Sequence, residues 1–345
     1  MRRRSLCNGL MATSAGAWAL GAAGPSGLTP GANASQTLVR MTMGLRATSQ
    51  SIPWIGAEAG LFMKHGLSVQ FPALEVGGIE SAQGLVRGDW EFSQTGSLPI
   101  VEEVLKGKDA VILLRNSLPH AGIVIMARRE FTSLHQLSGR KIGVLTDAVS
   151  GQTGVQTRLA IEAAGAAATY VGLGTYEKIY SALAAKEIEA GALPVDFRFL
   201  GESQHGWNAF DAARLEGVPS VFATTRRRIS ENRELVLGAV RGVVETIHYF
   251  KTQREMVVPL LQRFLNFNDR KAVEAVHAFY APLFAAVPRP DLAGGMARLR
   301  DLFVDRYPAA RALREPDIVD QSIIDEVEQS GFIKRLSASG SARSP

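Results

Sequence analysis

Over the first two thirds of the chain, short stretches of alternating apolar and polar residues are each followed by a stretch with helical spacing. Residues 38–47 alternate as a strand does, and Pro53, after a polar loop, is suited to the first turn of a helix. Residues 110–114 are nearly all apolar, which is typical of a strand covered by helices on both faces. This order of elements predicts an α/β fold with mostly parallel sheets.

A longer pattern occurs twice, in residues 85–99 and in residues 183–194. Each copy reads as the end of a helix, a tight turn with an acidic residue, a short strand and a small-residue loop that ends in Leu-Pro. Glu91 of the first copy corresponds to Glu189 of the second. A period this long does not suit a solenoid, and it indicates two α/β domains of the same build.

Two pairs of glycines repeat at nearly the same offset, Gly44 with Gly143 and Gly66 with Gly165. In both copies a strand leads through a Ser/Thr-rich loop into a helix that stops at the second glycine, a residue suited to the end of a helix. The glycine pairs therefore extend the predicted duplication to the elements that precede the Leu-Pro pattern.

The last third of the chain has a helical pattern. From Arg228 onward strand character is low, and residues 234–250 carry apolar side chains at helical spacing. These are Leu235, Val236, Ala239, Val243, Ile247 and Phe250. Further helices are expected at about 256–265, 270–286, 292–304 and 317–330.

The first 34 residues have the features of an export signal. Three arginines, Arg2 to Arg4, precede a moderately apolar stretch from Leu6 to Ala23, and residues 32–34 offer a small-x-small cleavage site. The apolar stretch contains too many polar and glycine residues for a permanent membrane span. We expect a signal peptide and a periplasmic location, with the general and twin-arginine export routes both open.

The charge and the cysteine content of the chain exclude several kinds of partner and site. The formal charge of the 345-residue chain is +5, and three of these charges are the leader arginines, so nucleic acid is not an expected partner. Cys7 is the only cysteine and lies in the leader, which excludes disulfides, zinc thiolates and cysteine nucleophiles from the rest of the chain. The six histidines have no ligand spacing, and no phosphate-binding or dinucleotide motif occurs, so we expect no metal, no cofactor and no enzyme.

In open α/β sheets, ligands bind beyond the carboxyl ends of the strands. Four of the five loops predicted there are rich in small hydroxyl or amide residues, and two lead directly into helix N-termini, which favour anions. The five loops are 48–54, 94–97, 115–120, 146–153 and 191–196.

The candidate ligand-binding residues are Gln50, Ser51, Trp54, Thr95, Ser97, Arg115, Asn116, His120, Ser150, Thr153 and Asp196. Arg115 would offer a fork-shaped partner to a carboxylate or sulfonate. Nine of the eleven candidates also have a purely structural interpretation. Ser51, Thr95, Ser97, Ser150 and Thr153 suit helix caps, Asn116 and His120 suit the turn around Pro119, Trp54 suits packing on the sheet, and Asp196 suits the first turn of a helix. If Asp196 faces the ligand, it would favour a cation or an amine.

Four segments together resemble a known family: residues 57–69, 85–96, 134–144 and 183–194. They are similar to the nitrate, sulfonate, taurine and thiamine-precursor periplasmic binding proteins (the SsuA/TauA type), over roughly residues 38–250. The second turn has Lys186-Glu187 where the family usually has glycine and an acid. This difference affects a turn and leaves the resemblance intact.

The resemblance implies a two-lobed periplasmic-binding-protein type II fold. Each lobe would hold a mostly parallel sheet flanked by helices, with two crossover strands as hinge and the C-terminal helices packed on lobe 1. Lobe 1 would comprise residues 35–126 and 222–345, and lobe 2 residues 127–221. The family also implies a monomer that captures a small ligand between its lobes and passes it to the permease and ATPase subunits of an ABC importer.

Several functional interpretations remain open at this level. The ligand could be an alkanesulfonate, taurine, nitrate, an aromatic carboxylate or a pyrimidine. A metal-free enzyme on the same fold, like some proteins of pyrimidine or menaquinone pathways, would require titratable groups such as His120 and Asp196 to converge in the cleft. A ligand-sensing module would require only the same fold beside a different partner.

Overall fold

The computed structural model describes residues 36–116, 122–149, 151–212 and 219–341. The expected export signal, His120 and Ser150 lie outside these ranges. Ten strands form two five-stranded sheets. They are β1 (Thr37–Met43), β2 (Leu67–Gln70), β3 (Phe92–Gly96), β4 (Val111–Arg115), β5 (Ile123–Ala127), β6 (Lys141–Val144), β7 (Thr169–Gly172), β8 (Ala190–Pro194), β9 (Asn208–Asp211) and β10 (Ser220–Thr224).

The two sheets have matching topologies. The first has the order β2-β1-β3-β10-β4 and the second the order β7-β6-β8-β5-β9. In each sheet four strands share one direction, while the fourth strand in the order, β10 or β5, runs antiparallel to its neighbours. The prediction of an α/β protein with two mostly parallel sheets is confirmed.

Helices flank both sheets. Around the first sheet are α1 (Ile52–Glu58), α2 (Gly78–Arg87) and α3 (Ser97–Leu105), and around the second are α4 (Gln152–Ala163), α5 (Tyr176–Ala184) and α6 (Val195–His205). Short 3₁₀ turns occur at Thr48–Gln50, Phe62–His65 and Leu134–Leu137. In both halves the helices begin where strands end, so their N-termini gather at the carboxyl edge of each sheet.

The duplicated acidic residues make matching contacts. The N–H of Arg40 donates to the Glu91 carboxylate at 2.7 Å, and the N–H of Glu91 donates to the carbonyl of Arg40 at 2.9 Å. Lys141 and Glu189 repeat both bonds, each at 3.0 Å. The correspondence of Glu91 and Glu189 is therefore confirmed.

An arginine near the crossover strand completes each arrangement. Arg228, just after β10, lies 3.6 Å from the Glu91 carboxylate, and Arg128, just after β5, lies 3.3 Å from that of Glu189. Glu91 thus links β1 to the residues that follow β10, and Glu189 links β6 to the residue that follows β5.

The turn residues of the repeat share a left-handed backbone. Gly66 and Gly165 have φ of +75° and +67°, and they end corresponding elements as expected. Gly88 ends α2 with φ of +87°, while Lys186 has φ of +62° after α5. The substitution of lysine for glycine noted in the sequence therefore falls where a side chain is sterically disfavoured.

The pairing of Gly44 with Gly143 is wrong. The carbonyl of Gly44 accepts the N–H of Gly77 at 2.8 Å, and in the second half the carbonyl of Leu145 accepts the N–H of Gly174 at 2.7 Å. Leu145 therefore corresponds to Gly44. Gly143 lies inside β6 and is glycine for a different reason, because a Cβ there would press on packed side chains of the second half.

The C-terminal region is helical, as predicted. It contains α7 (Arg226–Glu231), α8 (Arg233–Thr252), α9 (Arg254–Leu265), α10 (Arg270–Tyr280), α11 (Met296–Phe303), α12 (Glu315–Ile318), α13 (Ser322–Gln329) and α14 (Phe332–Ser341), with 3₁₀ turns at Ala293–Gly295 and Pro308–Ala312. The six apolar residues that predicted α8 are all buried. None of the helices in the described ranges is long and apolar enough to span a bilayer.

The C-terminal helices also contact the second half of the molecule. Phe267 follows α9 and packs against Phe197 of α6 with ring centroids 5.1 Å apart. Phe279 of α10 lies 6.4 Å from Phe199 of α6. Besides packing on the first sheet, this region therefore gives α6 an apolar support.

Candidate functional site

A cavity of about 350 Å³ lies between the carboxyl ends of the two sheets. It is lined by residues from both halves and from the segments that connect them. These are Leu45, Ala47, Ser49, Gln50, Val76, Gly77, Gly78, Ile79, Glu80, Gln83, Thr95, Gly96, Pro99, Gly122, Ile123, Leu145, Thr146, Asp147, Gly151, Gln152, Thr153, Gly154, Gln156, Gly174, Tyr176, Pro194, Pro219 and Ser220. The volume is typical of sites that enclose a small organic molecule.

Four helices begin at this cavity, two from each half. The N-cap residues of α2, α3 and α4 are Gly77, Gly96 and Gly151, and α5 begins just after Gly174. A glycine N-cap offers no side chain to bond the first-turn N–H groups, and it lets a ligand approach the backbone closely. The N-termini of α2, α3 and α4 therefore supply hydrogen-bond donors and positive potential to the cavity, whereas the N-cap of α5 is Thr175, whose hydroxyl accepts the N–H of Lys178 at 3.2 Å.

Gln50, Thr95 and Thr153 are the candidate residues that line the cavity. Gln50 Oε1 accepts the N–H of Leu45 at 2.9 Å, which leaves its NH₂ group as the outward donor. The Thr153 hydroxyl lies 3.1 Å from the hydroxyl of Tyr176. Polar groups from both halves thus face one space.

Ser51, Trp54 and Ser97 do not line the cavity. Ser51 is buried, and its hydroxyl donates back to the carbonyl of Thr48 at 2.9 Å. Trp54 packs against Phe264 at 5.3 Å because α9 covers that face of α1. Ser97 is buried in the first turn of α3, and its hydroxyl has no hydrogen-bond partner among the described residues.

Arg115 and Asn116 also do not line the cavity. The Arg115 guanidinium donates to the carbonyl of Asp291 at 3.0 Å, because the C-terminal segment runs beside the end of β4. Asn116 is buried, and its side-chain NH₂ donates to the side-chain oxygen of Gln94. The Arg115 guanidinium, which we expected to bind an anionic ligand, therefore bonds to a backbone carbonyl instead.

Asp196 is buried behind the cavity wall, in the first turn of α6. Its carboxylate accepts the N–H of Thr48 at 3.1 Å, the Thr48 hydroxyl, and the Tyr280 hydroxyl at 3.2 Å. Burial raises the pKa of Asp196, and the hydrogen bonds from Thr48 and Tyr280 oppose that rise. Asp196 therefore contacts both halves of the molecule without lining the cavity.

Sequence reasoning missed two of the loops that form the cavity. The segment after β2 contributes Val76 to Glu80 and Gln83, and the segment after β7 contributes Gly174 and Tyr176. The rule that ligands sit beyond the carboxyl ends of strands applies to these strands as well. Gly77-Gly78 after a predicted strand was the available signal.

No lysine, arginine or histidine occurs among the described residues that line the cavity. Two acids are present, and both have partners: Glu80 forms an ion pair with Arg87, and the Asp147 carboxylate accepts the N–H of Val149 at 2.8 Å. Burial raises the pKa of Tyr176 far above its ordinary value, so this phenol stays neutral. The polar groups that the wall presents to the cavity are therefore amides, hydroxyls and backbone N–H groups.

The two halves touch beside the cavity. The side-chain amide of Gln152 in α4 lies directly over Gly96. Val155, one turn further along α4, belongs to the same apolar cluster as Leu98 and Val101 of α3. Side-chain contacts between α3 and α4 thus close this edge of the cavity.

Within the described ranges, no group of three or more His, Cys, Asp or Glu residues is arranged to hold a metal ion. Apolar side chains such as Leu45, Ile79 and Leu145 share the walls with the polar groups.

No protein-family model matches the sequence, and no curated protein sequence matches it. Solved structures do resemble it. The alkanesulfonate-binding protein SsuA from Xanthomonas axonopodis pv. citri, bound to MOPS, has a TM-score of 0.66 and 14% identity, over 82% of this chain and 98% of that chain. The periplasmic aliphatic sulphonate binding protein SsuA from Escherichia coli has a TM-score of 0.63 and 17% identity, over 82% and 92%.

A Cys→Ser variant of DszB in complex with biphenyl-2-sulfinic acid is a further similar structure. Its TM-score is 0.64 at 12% identity, over 85% of this chain and 99% of that chain. Identities this low establish the shared fold alone. With its two matched sheets and the cavity between them, the chain therefore has the fold of the periplasmic binding proteins, as its resemblance to the SsuA type indicated.

Proposed function

We propose that the protein is an exported solute-binding protein that holds a small polar or anionic molecule in the cavity between its two halves and delivers it to an ABC importer. The observation that carries this proposal is the meeting of four helix N-termini at a cavity lined from both sheets. The SsuA structures support it, since their names describe sulfonate-binding proteins with the same fold.

We divide the molecule into lobes at the two connectors. β5 pairs within the second sheet and β10 within the first, so the chain passes from the first sheet to the second between β4 and β5 and returns between β9 and β10. This division moves the boundaries a few residues from those expected at 126 and 221. Closure about these connectors would bring the helix N-termini of both lobes onto the ligand.

The ligand we propose has a hydrogen-bond-accepting head and an apolar body. The Gln50 NH₂ group, Thr95, Thr153 and the helix N-termini would receive a sulfonate, carboxylate or pyrimidine-like head. Leu45, Ile79 and other apolar wall residues would contact the body. Nitrate has no such body and would leave most of a 350 Å³ cavity unfilled.

The first experiment is mass spectrometry of small molecules released from the purified, denatured protein. A thermal-shift panel of sulfonates, carboxylates, pyrimidines and nitrate follows. A ligand with an acceptor head should raise the melting temperature, and Gln50→Ala should weaken its binding about tenfold, the effect of about 1.4 kcal/mol.

Gln329→Ala is the matched control, because Gln329 is an exposed glutamine at the end of α13. It should bind as the unmodified protein does. A protein that releases no small molecule and responds to no member of the panel would contradict the proposal.

An enzyme on the same fold is the second candidate, and the DszB complex with a small sulfinic acid is the observation that favours it. Such an enzyme needs titratable groups at the ligand. Among the described lining residues only Glu80, Asp147 and Tyr176 have an acidic side chain, and Asp196 does not line the cavity. Turnover of a bound panel member would favour the enzyme, and binding without turnover would favour the solute-binding role.

A further inference from the structure

The 3₁₀ turn Thr48–Gln50 has two faces with different tasks. Ser49 and Gln50 line the cavity, while the Thr48 side chain is buried and bonded to Asp196. The turn follows β1 of the first sheet, whereas Asp196 follows β8 of the second. Ser49 and Gln50, two of the polar residues that the first lobe presents to the cavity, are therefore anchored to the second lobe through Thr48.

We call Thr48, Asp196 and Tyr280 the anchor, and both carboxylate oxygens of Asp196 accept hydrogen bonds within it. The two oxygens of the Asp196 carboxylate accept the N–H and the hydroxyl of Thr48 and the hydroxyl of Tyr280. Asp196 and Tyr280 are both fully buried. A carboxylate can accept all three bonds, whereas an asparagine has one oxygen and would turn its NH₂ group toward a donor. The residue type thus suits the donors around it.

The anchor joins three parts of the molecule at one point. Thr48 belongs to the first lobe, Asp196 to α6 of the second lobe, and Tyr280 to the last turn of α10 in the C-terminal region. The neighbouring residue Val195 donates its N–H to the carbonyl of Gly122, in the connector between the lobes, at 3.1 Å. The anchor therefore lies beside the connector about which the lobes would move.

We propose that Asp196 is a positioning residue that acts through Thr48. It holds the turn 48–50 so that Ser49 and the Gln50 NH₂ group face the ligand, and it touches no ligand itself. This inference rests on the proposed function, because it assigns a role in the same cavity. It replaces the direct ligand contact expected of Asp196 from the sequence.

The test removes one hydrogen bond without removing the carboxylate. Thr48→Val keeps the shape of the side chain and loses the hydroxyl, while Thr48→Ser keeps the hydroxyl. Thr246→Val is the matched control, because the Thr246 hydroxyl is equally buried but bonds within α8, to the carbonyl of Gly242 at 2.7 Å. Hydrogen exchange of the amides of residues 48–51 reports the turn directly.

Thr48→Val should speed exchange of these amides at least tenfold relative to Thr246→Val, as expected for loss of one charge-assisted bond. It should also weaken binding of the probe MOPS about tenfold, while Thr48→Ser restores both values. Equal exchange in the two valine variants would overturn the inference. So would a loosened turn with unchanged MOPS affinity, because the anchor would then serve stability alone.

The two proposals fail in different ways. If the unmodified protein does not bind MOPS, the panel member that raises its melting temperature replaces MOPS as the probe, and a protein that binds no panel member contradicts the proposed function. The exchange experiment needs no ligand and would still decide whether Asp196 positions the turn.

Discussion

Lys186 adopts a backbone conformation that its own side chain disfavours. Its φ of +62° lies in the left-handed region, at the place where the first copy of the repeat has Gly88. A residue with a Cβ costs roughly 1–2 kcal/mol in this region, part of which the greater chain entropy of an unfolded glycine offsets. We expect Lys186→Gly to raise the free energy of unfolding by about 1 kcal/mol, measured by urea denaturation.

The reciprocal variant is the control. Gly88→Lys places a side chain at a φ of +87° and should lower the free energy of unfolding by about the same amount. A lower urea midpoint for Lys186→Gly would contradict the explanation, since Lys186 is exposed and the glycine removes no buried contact.

The pKa of Glu91 leads to a second prediction at the residue scale, on how the free energy of unfolding depends on pH. Burial alone would raise its pKa, but the hydrogen bonds from Arg40 and the charges of Arg40 and Arg228 outweigh it and hold the pKa below its usual range. A depressed pKa in the folded state means that the stabilisation is present above the unfolded value of about 4.3 and is lost as pH falls through the folded value.

We therefore expect Glu91→Gln to lower the free energy of unfolding by about 2 kcal/mol at pH 7, the typical loss for a hydrogen bond to a charged group. The difference should shrink below about pH 4, where the unfolded-state glutamate is protonated. Urea denaturation at both pH values measures it, with Glu187→Gln as an exposed control. A difference that is the same at both pH values would contradict the assignment.

At the residue scale, the sequence could predict only those contacts that follow from the order of neighbouring residues along the chain. Glu91 and Glu189 were found because each follows its turn at a constant spacing, and the backbone then sets the contact. Trp54 and Arg115 could not be placed, because their partners Phe264 and Asp291 lie far along the chain. Nothing in the neighbourhood of either residue signals that a C-terminal element covers it.

At the scale of elements, the first turn of α4 packs against the loop before it. A Cβ on Gly154 would overlap the carbonyl oxygen of Asp147, whereas a Cβ on Gly151 would lie 3.6 Å from the Thr146 hydroxyl, an ordinary contact. Both glycines line the cavity. Only Gly154 is therefore required by the approach of backbone to backbone.

We expect Gly154→Ala to lower the free energy of unfolding by about 2 kcal/mol, within the usual cost of overpacking a close contact. Gly151→Ala should change it little. Urea denaturation of both variants measures the difference, and the same two proteins can be compared for ligand affinity. Equal stabilities would show that the loop 146–149 moves aside without cost.

Elements were predicted better than the way they assemble. The long run of apolar residues at helical spacing predicted the ends of α8 to within a few residues, because the helical repeat of apolar positions is clear in a helix of this length. The Gly44–Gly143 alignment failed, because the strands and the turns of the two copies differ slightly in offset. The loops after β2 and β7 were overlooked, although their strands end at the same edge as the others.

At the scale of the whole molecule, the proposed function predicts a change in the distance between lobes. Cys7 is the only cysteine, so a protein expressed without residues 1–34 can receive a pair of spin labels with no other change. Lys108 and Lys178 are exposed residues of the first and second lobes. We expect a bound ligand, with MOPS as the probe, to shorten the distance between labels by more than about 2 Å.

A pair within the second lobe, at Arg140 and Lys178, is the control and should give one distance with and without ligand. An unchanged distance between lobes in a protein shown to bind MOPS would contradict closure. Measuring the distribution by pulsed electron resonance also gives the fraction of open molecules without ligand.

The matched carboxylates Glu91 and Glu189 have a consequence for this movement. Each carboxylate bonds to residues of its own half, and neither carboxylate bonds to the opposite half in these contacts. A rotation of one half relative to the other would therefore leave the hydrogen bonds of Glu91 and Glu189 and the pairing of the strands unchanged. Moving the halves apart would leave both sheets intact, but it would separate the Gln152 side chain from Gly96 and strain the hydrogen bonds between Thr48 and Asp196.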